Sequence, residues 1–248
     1  MSQTDVPGMP GDRKQRRTKP LKVYCIRHPQ TNDNVTGIHT GEAAQLTEVG
    51  VQQMRIVSER AARIHPDLVV TSSSPRAVAL AKEIFLNVPT TQIVASDLFV
   101  ECRKPSILLG LDRKKDPLHE EVMEQHRRHF DEGLRFYDEE NRWDLEERVR
   151  AALEFFEDQD VETILTVSHL KFLFLMFHML YNQGSLEGYY EKSDPFLKHD
   201  NTGISIFSYE PEYRNPDSWR WVLRTWNDVA HVDPVLSPDL ERALASKT

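Results

Sequence analysis

The stretch that decides the fold is residues 22–34, which read Lys22-Val-Tyr-Cys-Ile26 and then Arg27-His28-Pro29-Gln30-Thr31-Asn32-Asp33-Asn34. The first five residues form a short run that favours a β-strand. An arginine and a histidine follow it directly. In open α/β sheets, ligand sites form where the strands reach their carboxyl ends. The order of these residues therefore predicts a functional site that begins at Arg27 and His28.

Strand-like and helix-like stretches alternate through the rest of the chain. We predict further strands at 67–71, 92–94, 163–167, 202–209 and 219–227, and helices at 47–64, 76–86, 118–137, 145–157 and 170–181. This alternation predicts an α/β fold, a three-layer αβα sandwich with a mostly parallel central sheet. The stretch 103–141 reads as a largely helical insertion, which we expect to form a cap over one end of the sheet.

The domain organisation follows from where the periodic pattern starts and stops. We expect one domain over residues 21–231 that contains the cap insertion at about 103–141. Residues 1–20 hold three prolines, two glycines and a basic cluster, and they predict a disordered basic tail. Residues 232–248 are polar and punctuated by proline, so they predict a C-terminal tail.

Composition narrows the classes of protein that this chain can belong to. Its 248 residues carry a formal net charge of −8, which disfavours nucleic acid or an anionic membrane as the main partner. Two cysteines make no disulfide framework, and the N-terminus has no apolar signal segment. The apolar run at 170–181 is too short to span a bilayer and predicts a buried helix. We therefore expect a cytoplasmic protein without membrane contact, and we leave a homodimer open.

Charged side chains recur at the ends of the predicted strands. Arg27 and His28 follow the first strand, Arg76 the second, Glu101 the third and His169 the fourth. Two guanidinium groups can each fork onto the oxygens of a dianionic phosphate. A neutral imidazole can attack phosphorus, and a nearby carboxylic acid can protonate the leaving oxygen. Together these residues predict a phosphoryl-transfer site.

This pattern resembles the histidine phosphatase superfamily, the group related to cofactor-dependent phosphoglycerate mutase. Residues 27–34 are similar to its signature Arg-His-Gly-x-Thr-x-x-Asn, with Pro29 in place of the glycine. Five later stretches also resemble the family and come in the same order. They are Leu46-Thr-Glu-Val-Gly-Val-Gln-Gln53, Thr71-Ser-Ser-Ser-Pro-Arg-Ala77, Val167-Ser-His169, and the pair Asn201-Thr-Gly-Ile-Ser205 and Trp226-Asn-Asp-Val-Ala-His231.

The resemblance implies a role for each of the strand-end residues. His28 would be the nucleophile that accepts the phosphoryl group. Glu101 would protonate the departing alcohol and later activate water, so it would have to be protonated for its first task. Arg27, Arg76 and His169 would hold the phosphate, and His169 would also take part in catalysis by stabilising charge on its oxygens.

The resemblance also implies supporting residues and the kind of ligand. Asn34 would help to bind phosphate and Thr31 would support the pocket from the first loop. Arg103 and Lys104 adjoin Glu101, so we expect them to contact the substrate, a small phosphorylated molecule. No metal and no cofactor are implied.

The favoured function is a metal-independent phosphomonoester hydrolase of the histidine acid phosphatase type that works through phosphohistidine. One alternative is phosphoryl transfer of the phosphoglycerate mutase type. Another is a catalytically weak module that binds phosphate esters. It rests on Pro29 and on Ser168-His169-Leu170, which stands where the family commonly has Gly-His-Gly. We interpret His178 as a core residue, His231 as structural, and His126 and His129 as a surface pair without a metal.

Overall fold

The computed structural model describes residues 17–89, 91–192, 197–212 and 220–232. Most of the two predicted tails, at 1–16 and 233–248, lies outside the described residues. The strands are β1 (Leu21–Arg27), β2 (Leu68–Ser72), β3 (Gln92–Ser96), β4 (Thr163–Ser168), β5 (Ile204–Tyr209) and β6 (Trp221–Asp228). The helices are α1 (Asn32–Thr36), α2 (Glu48–Ala62), α3 (Pro75–Asn87), α4 (Pro117–Arg128), α5 (Arg142–Glu157), α6 (Leu170–Tyr181) and α7 (Tyr189–Lys192).

The six strands form one sheet in the order β3-β2-β4-β1-β5-β6. The pairs β1–β4, β2–β4 and β2–β3 are parallel, whereas β5 runs antiparallel to both β1 and β6. This confirms the mostly parallel sheet. The register pairs Arg27 with Ser168 and Thr71 with Val167, so β1, β4 and β2 end at nearly the same level. The residues that follow these strands therefore meet at one edge.

Two hydrophobic cores flank the sheet, because neighbouring residues of a strand point to opposite faces. On β1, Val23 and Cys25 pack into a core that contains residues of α5 and α6. Ile26, on the same strand, packs into a second core together with residues of α2 and α3. Helices thus cover both faces, which confirms the predicted three-layer α/β architecture.

α6 is the buried helix that the apolar run predicted. Its His178 is fully buried, and the imidazole Nε2 lies 3.1 Å from the Glu187 carbonyl oxygen, as expected for a packed core residue. Among the described residues, no helix has the length and hydrophobicity that a bilayer crossing requires.

The stretch 103–141, which the sequence predicted to form a cap, is less helical than expected. The helix expected over 118–137 ends at Arg128, and the prediction was wrong beyond that residue. Gly133 has a φ of +66°, and a Cβ there would lie 2.2 Å from the ring of Trp143, so the chain turns instead of continuing the helix. A β-bridge between Ile38 and Asp112 attaches the other side of the cap to the loop after α1.

Candidate active site

His28 lies directly after β1 and is 5 % exposed. Its Nδ1 is 2.8 Å from the Pro29 carbonyl oxygen, which can only accept a hydrogen bond. Nδ1 therefore carries the proton, and Nε2 keeps its lone pair. Burial, with further contributions from His169, Arg27 and Arg76, holds the pKa of His28 well below its usual value. The ring is neutral at neutral pH, the form that a nucleophile needs.

His169 stands beside this ring at the end of β4, with the two ring centroids 5.1 Å apart. Arg76 Nη2 donates to its Nδ1 across 3.2 Å, so Nε2 carries the proton and donates to Ser72 Oγ at 2.8 Å. Burial and the charges of Arg76 and Arg27 hold the pKa of His169 well below its usual value. Ser72 orients this ring, a role that the serine-rich turn in the sequence did not single out.

Two guanidinium groups border the paired imidazoles. Arg27 is 7 % exposed and donates from Nη1 to the carbonyl of His199. Arg76 donates from Nη1 to the Gly41 carbonyl at 3.2 Å and has the carboxylate of Glu42 at 3.9 Å. Since both imidazoles are neutral, the positive charge beside them comes from the two guanidinium groups. Such a site suits a phosphate group, which guanidinium groups bind through paired hydrogen bonds.

Glu101 lies against the start of α6. Its Oε1 accepts the backbone N–H groups of Cys102 and Phe172 at 3.0 and 3.1 Å, and Oε2 accepts that of Lys171 at 3.3 Å. His169 is the N-cap of the same helix. The carboxylate therefore occupies a helix N-terminus, where a negative charge is stabilised.

The ionisation of Glu101 differs from the expectation. Burial by itself would raise the pKa of this carboxyl. The N–H donors of Cys102 and Lys171 and the charges of Lys104 and Arg76 outweigh burial and bring the pKa below its usual value. Glu101 is therefore ionised at neutral pH in the ligand-free protein. A dianionic phosphate close by opposes this effect, because a like charge raises the pKa of a carboxyl group.

The loop that carries His28 is held by the first turns of α2. Thr47 Oγ1 accepts the N–H of Gly50 at 3.0 Å and donates to Gln30 Oε1 at 2.7 Å. Gln53 Oε1 accepts the N–H of Gln30 at 2.9 Å. A Cβ at Gly50 would lie 2.1 Å from the Gln30 carbonyl oxygen, so only glycine permits this approach. These contacts explain the Leu-Thr-x-x-Gly-x-x-Gln spacing in physical terms.

Asn34 and Thr31 meet the same loop from its other side. Asn34 Oδ1 accepts the N–H and hydroxyl of Thr31 at 3.0 and 3.1 Å and the amide of Asn201 at 3.2 Å. Asn201 Nδ2 also donates to the His28 carbonyl at 2.9 Å. Within the described part of the chain, Asn34 Nδ2 has no acceptor, so it is the group left for a ligand. Asn201 was quoted in the sequence only as a strand landmark, and its link to His28 was missed.

The two basic residues after Glu101 diverge. Arg103 is exposed, and its Nε donates to the Asp138 carbonyl at 2.7 Å on the cap surface. Arg103 also lines a cavity together with Cys102 and Lys104, so its expected contact with the substrate stays a prediction. Lys104 is partly buried. Its positive charge lowers the pKa of both Glu101 and His39, so Lys104 lies close to these two residues.

His231, at the end of the last stretch that resembles the family, lies outside the site. His231 Nδ1 is 2.8 Å from Arg60 Nη1, and Arg60 also pairs with Asp228. Burial, followed by the charge of Arg60, lowers the pKa of His231 to about 4. These contacts fasten the end of β6 to α2, in agreement with the structural role expected for His231.

Comparison with known proteins agrees with this geometry. The chain is 28% identical over 229 residues to a protein named probable phosphoglycerate mutase GpmB from Escherichia coli, covering 90% of this chain and all of the relative. Its fold matches the mycobacterial glucosyl-3-phosphoglycerate phosphatase (TM-score 0.65, 17% identity, 84% of this chain and 99% of that one). It also matches a phosphoserine phosphatase from Entamoeba histolytica (TM-score 0.65, 19% identity, 86% of this chain and all of that one).

A match to the family described as Histidine phosphatase superfamily (branch 1) extends over residues 23–228, from β1 to the last residue of β6. It therefore includes the strand-end histidines, both arginines and Glu101. The protein belongs to the histidine phosphatase superfamily.

Proposed function

We propose that this protein is a phosphomonoesterase that works through a phosphohistidine on His28. The observation that carries the proposal is the neutral His28 ring, with Nδ1 bound to the Pro29 carbonyl, beside His169 and two guanidinium groups. This arrangement supplies a lone pair on Nε2 and positive charge for the phosphate oxygens in one place.

In the first step, Nε2 of His28 attacks phosphorus and the bond from phosphorus to the ester oxygen breaks. Glu101 transfers its proton to the departing oxygen, so the products are the free alcohol and phosphohistidine. Because Glu101 is ionised in the ligand-free protein, it must gain its proton when the phosphate ester binds. Arg27 and Arg76 stabilise the charge on the three remaining oxygens, and Asn34 Nδ2 is a further donor. The N–H of His169 joins them by exchanging its hydrogen bond to Ser72 Oγ for one to the phosphate.

In the second step, a water molecule attacks the phosphorus and Glu101 accepts the proton that the water loses. The bond between phosphorus and Nε2 breaks, its electron pair returns to the ring, and inorganic phosphate leaves. None of these transfers requires a metal ion, so we expect full activity in the presence of EDTA. The substrate class is a small phosphomonoester, and we infer a cytoplasmic site of action.

The test is rapid mixing with an aryl phosphate, followed by mass spectrometry of the protein. We expect a burst of the aryl alcohol, a phosphoryl group on His28, and steady release of inorganic phosphate. The His28→Ala variant should show none of the three. Binding of the ester without turnover and without phosphohistidine would instead indicate a phosphate-binding module.

Phosphoryl transfer of the mutase type is a second candidate, because the curated relative from Escherichia coli is named a probable phosphoglycerate mutase. Both reactions pass through phosphohistidine, so the acceptor of the phosphoryl group distinguishes them. Incubation with 3-phosphoglycerate should release inorganic phosphate if water is the acceptor. Conversion to 2-phosphoglycerate without phosphate release would assign the mutase reaction.

A further inference from the structure

A largely buried arginine of α5 holds the Glu101 loop, which we define as residues 98–103. Only 12 % of the Arg148 side chain is exposed. Its Nη1 donates to the carbonyl oxygens of Leu98 and Val100 at 3.1 and 2.8 Å. Both carbonyls come shortly before Glu101 in the chain. Arg148 therefore fixes the backbone on the N-terminal side of the proposed proton donor.

Glu140 binds the same arginine and holds the other end of the Glu101 loop. Its Oε1 accepts from Arg148 Nε and its Oε2 from Nη2, both at 2.8 Å, so the two side chains form a bidentate ion pair. Oε2 also accepts the N–H of Arg103 at 2.8 Å, and the Glu140 N–H donates to the Arg103 carbonyl at 3.1 Å. One ion pair thus binds the backbone on both sides of Glu101.

Arg148 also contacts the helix that receives the Glu101 carboxylate. Its guanidinium carbon lies 5.0 Å from the centroid of the Phe172 ring, and the N–H of Phe172 donates to Glu101 Oε1. Burial lowers the pKa of Arg148, but the hydrogen bonds to Glu140 and the neighbouring negative charges outweigh it and bring that pKa above its usual value. The guanidinium is therefore charged, and it packs between the Glu101 loop and the first turn of α6.

We propose that Arg148 and Glu140 are positioning residues for Glu101, which set the place of its carboxylate and so the efficiency of proton transfer to the departing alcohol. A guanidinium fixes the direction as well as the distance of its acceptors, because its N–H groups lie in one plane. A displacement of about 1 Å caused far from the reacting atoms can cost about a hundredfold in rate. The inference rests on the proposed function, in which Glu101 is the proton donor.

Arg148→Met tests this role through the leaving group of the substrate. An alkyl alcohol needs a proton in order to leave, whereas a nitrophenol needs little protonation. We expect the rate of the first phosphoryl transfer, measured by rapid mixing, to fall about a hundredfold for an alkyl phosphate and far less for nitrophenyl phosphate. Arg150→Gln, an exposed change two residues further along α5, should leave both rates as they are. Equal losses for the two esters would indicate general damage to the site and would overturn the proposal.

Combining Arg148→Met with Glu101→Gln shows whether the arginine acts through the glutamate. Once the acid is gone, nothing remains to be positioned, so the double variant should react with the alkyl phosphate at the rate of Glu101→Gln alone. Losses that multiply would show that Arg148 acts elsewhere and would contradict the proposal. Failure of the proposed function would appear differently, as the absence of phosphohistidine on His28 in the unsubstituted protein.

Two further variants separate the positioning role from stability. Removing one partner leaves the other charge buried, so Arg148→Met should lower the Tm. Arg148→Lys keeps a charge beside Glu140 but lacks the planar fork that reaches both carbonyls, so we expect an intermediate loss with the alkyl phosphate. Glu140→Leu combined with Arg148→Met removes both charges and should restore the Tm without restoring the rate. Full activity toward the alkyl phosphate in either folded variant would show that the pair does not position Glu101.

Discussion

The carboxylate of Glu101 accepts the backbone N–H of Phe172 across 3.1 Å, so the proposed proton donor is fixed to the first turn of α6. The N-cap of that helix is His169, which faces the proposed nucleophile. One helix terminus thus positions both the proposed proton donor and an imidazole that we propose binds the phosphate. The same N–H groups that position Glu101 also favour its ionised form, and this has consequences for activity.

Glu101→Gln should affect esters according to their leaving group. An alkyl alcohol leaves poorly without a proton, so kcat for an alkyl phosphate should fall by about 10²–10⁴. A nitrophenyl leaving group needs little protonation, so its burst phase should change far less. Rapid-mixing kinetics with both esters measures the difference. Equal losses for the two esters would contradict the assignment of Glu101 as the proton donor.

The pH profile should show the effect of Lys104 on Glu101. The pKa of Glu101 lies below its usual value because of the N–H donors and because of Lys104 and Arg76. Since an acid must be protonated to act, kcat/KM for an alkyl ester should decline as pH rises through this pKa. Lys104→Gln removes a positive neighbour, so the declining limb should move to higher pH. Lys114→Gln should not move it, and a shift in both variants would refute the local cause.

Arg76→Gln should raise the pKa of His169 as well as weaken phosphate binding. Burial and then the Arg76 charge lower the pKa of His169, so loss of the guanidinium should raise that pKa. NMR titration of labelled histidine measures the shift, and kcat/KM should fall by about 10²–10³. Arg63→Gln, an exposed change at the end of α2, serves as the control. An unchanged His169 titration in Arg76→Gln would show that the two side chains do not interact in solution.

Gly50→Ala should weaken both stability and activity. The new Cβ would fall 2.1 Å from the Gln30 carbonyl oxygen, and a backbone atom cannot move aside cheaply. Overpacking of this kind costs about 1–3 kcal/mol, against a gain of about 1 kcal/mol in helix propensity. Urea unfolding measures the loss, and phosphatase assays should show lower kcat because the loop carries His28.

Gly110→Ala is the matched control for the Gly50 substitution. A Cβ at Gly110 meets no atom within 4 Å, so only its φ of +83° opposes alanine. We expect a cost of roughly 1–2 kcal/mol from the left-handed backbone and unchanged kcat. If Gly50→Ala behaved in the same way, the close approach to Gln30 would not be what positions the loop.

Asn201 should prove to be a positioning residue, and two substitutions should separate its hydrogen bonds from its volume. Its amide donates to the His28 carbonyl and to Asn34 Oδ1. Asn201→Ala removes two donors, so we expect kcat to fall by about tenfold. Asn201→Asp places a carboxylate against two acceptors, so the loss should be larger still. A milder effect of aspartate than of alanine would show that these hydrogen bonds do not hold the loop.

Much of the fold follows from local patterns. The apolar run before Arg27 predicts β1, and the thirteen-residue helix α3 follows from the spacing of Ala77, Leu80, Ala81 and Ile84, which are all buried. The prediction of a helix over 118–137 was wrong beyond Arg128. The charged residues at 129–137 continue a helical spacing, but the chain turns at Gly133, which packs against Trp143. That contact joins residues from different elements, and helical periodicity does not report it.

By itself, the sequence determined which residue types follow each strand, because a strand and the polar residues after it are neighbours along the chain. It thereby identified Arg27, His28, Arg76, Glu101 and His169. Only the tertiary structure decided the state of these groups. The proton on Nδ1 of His28, the ionisation of Glu101 and the different surroundings of Arg103 and Lys104 depend on burial and on distances between charges. Electrostatic energies depend on separation in space, and β1 lies beside β4 in the sheet although more than a hundred residues separate them in the sequence.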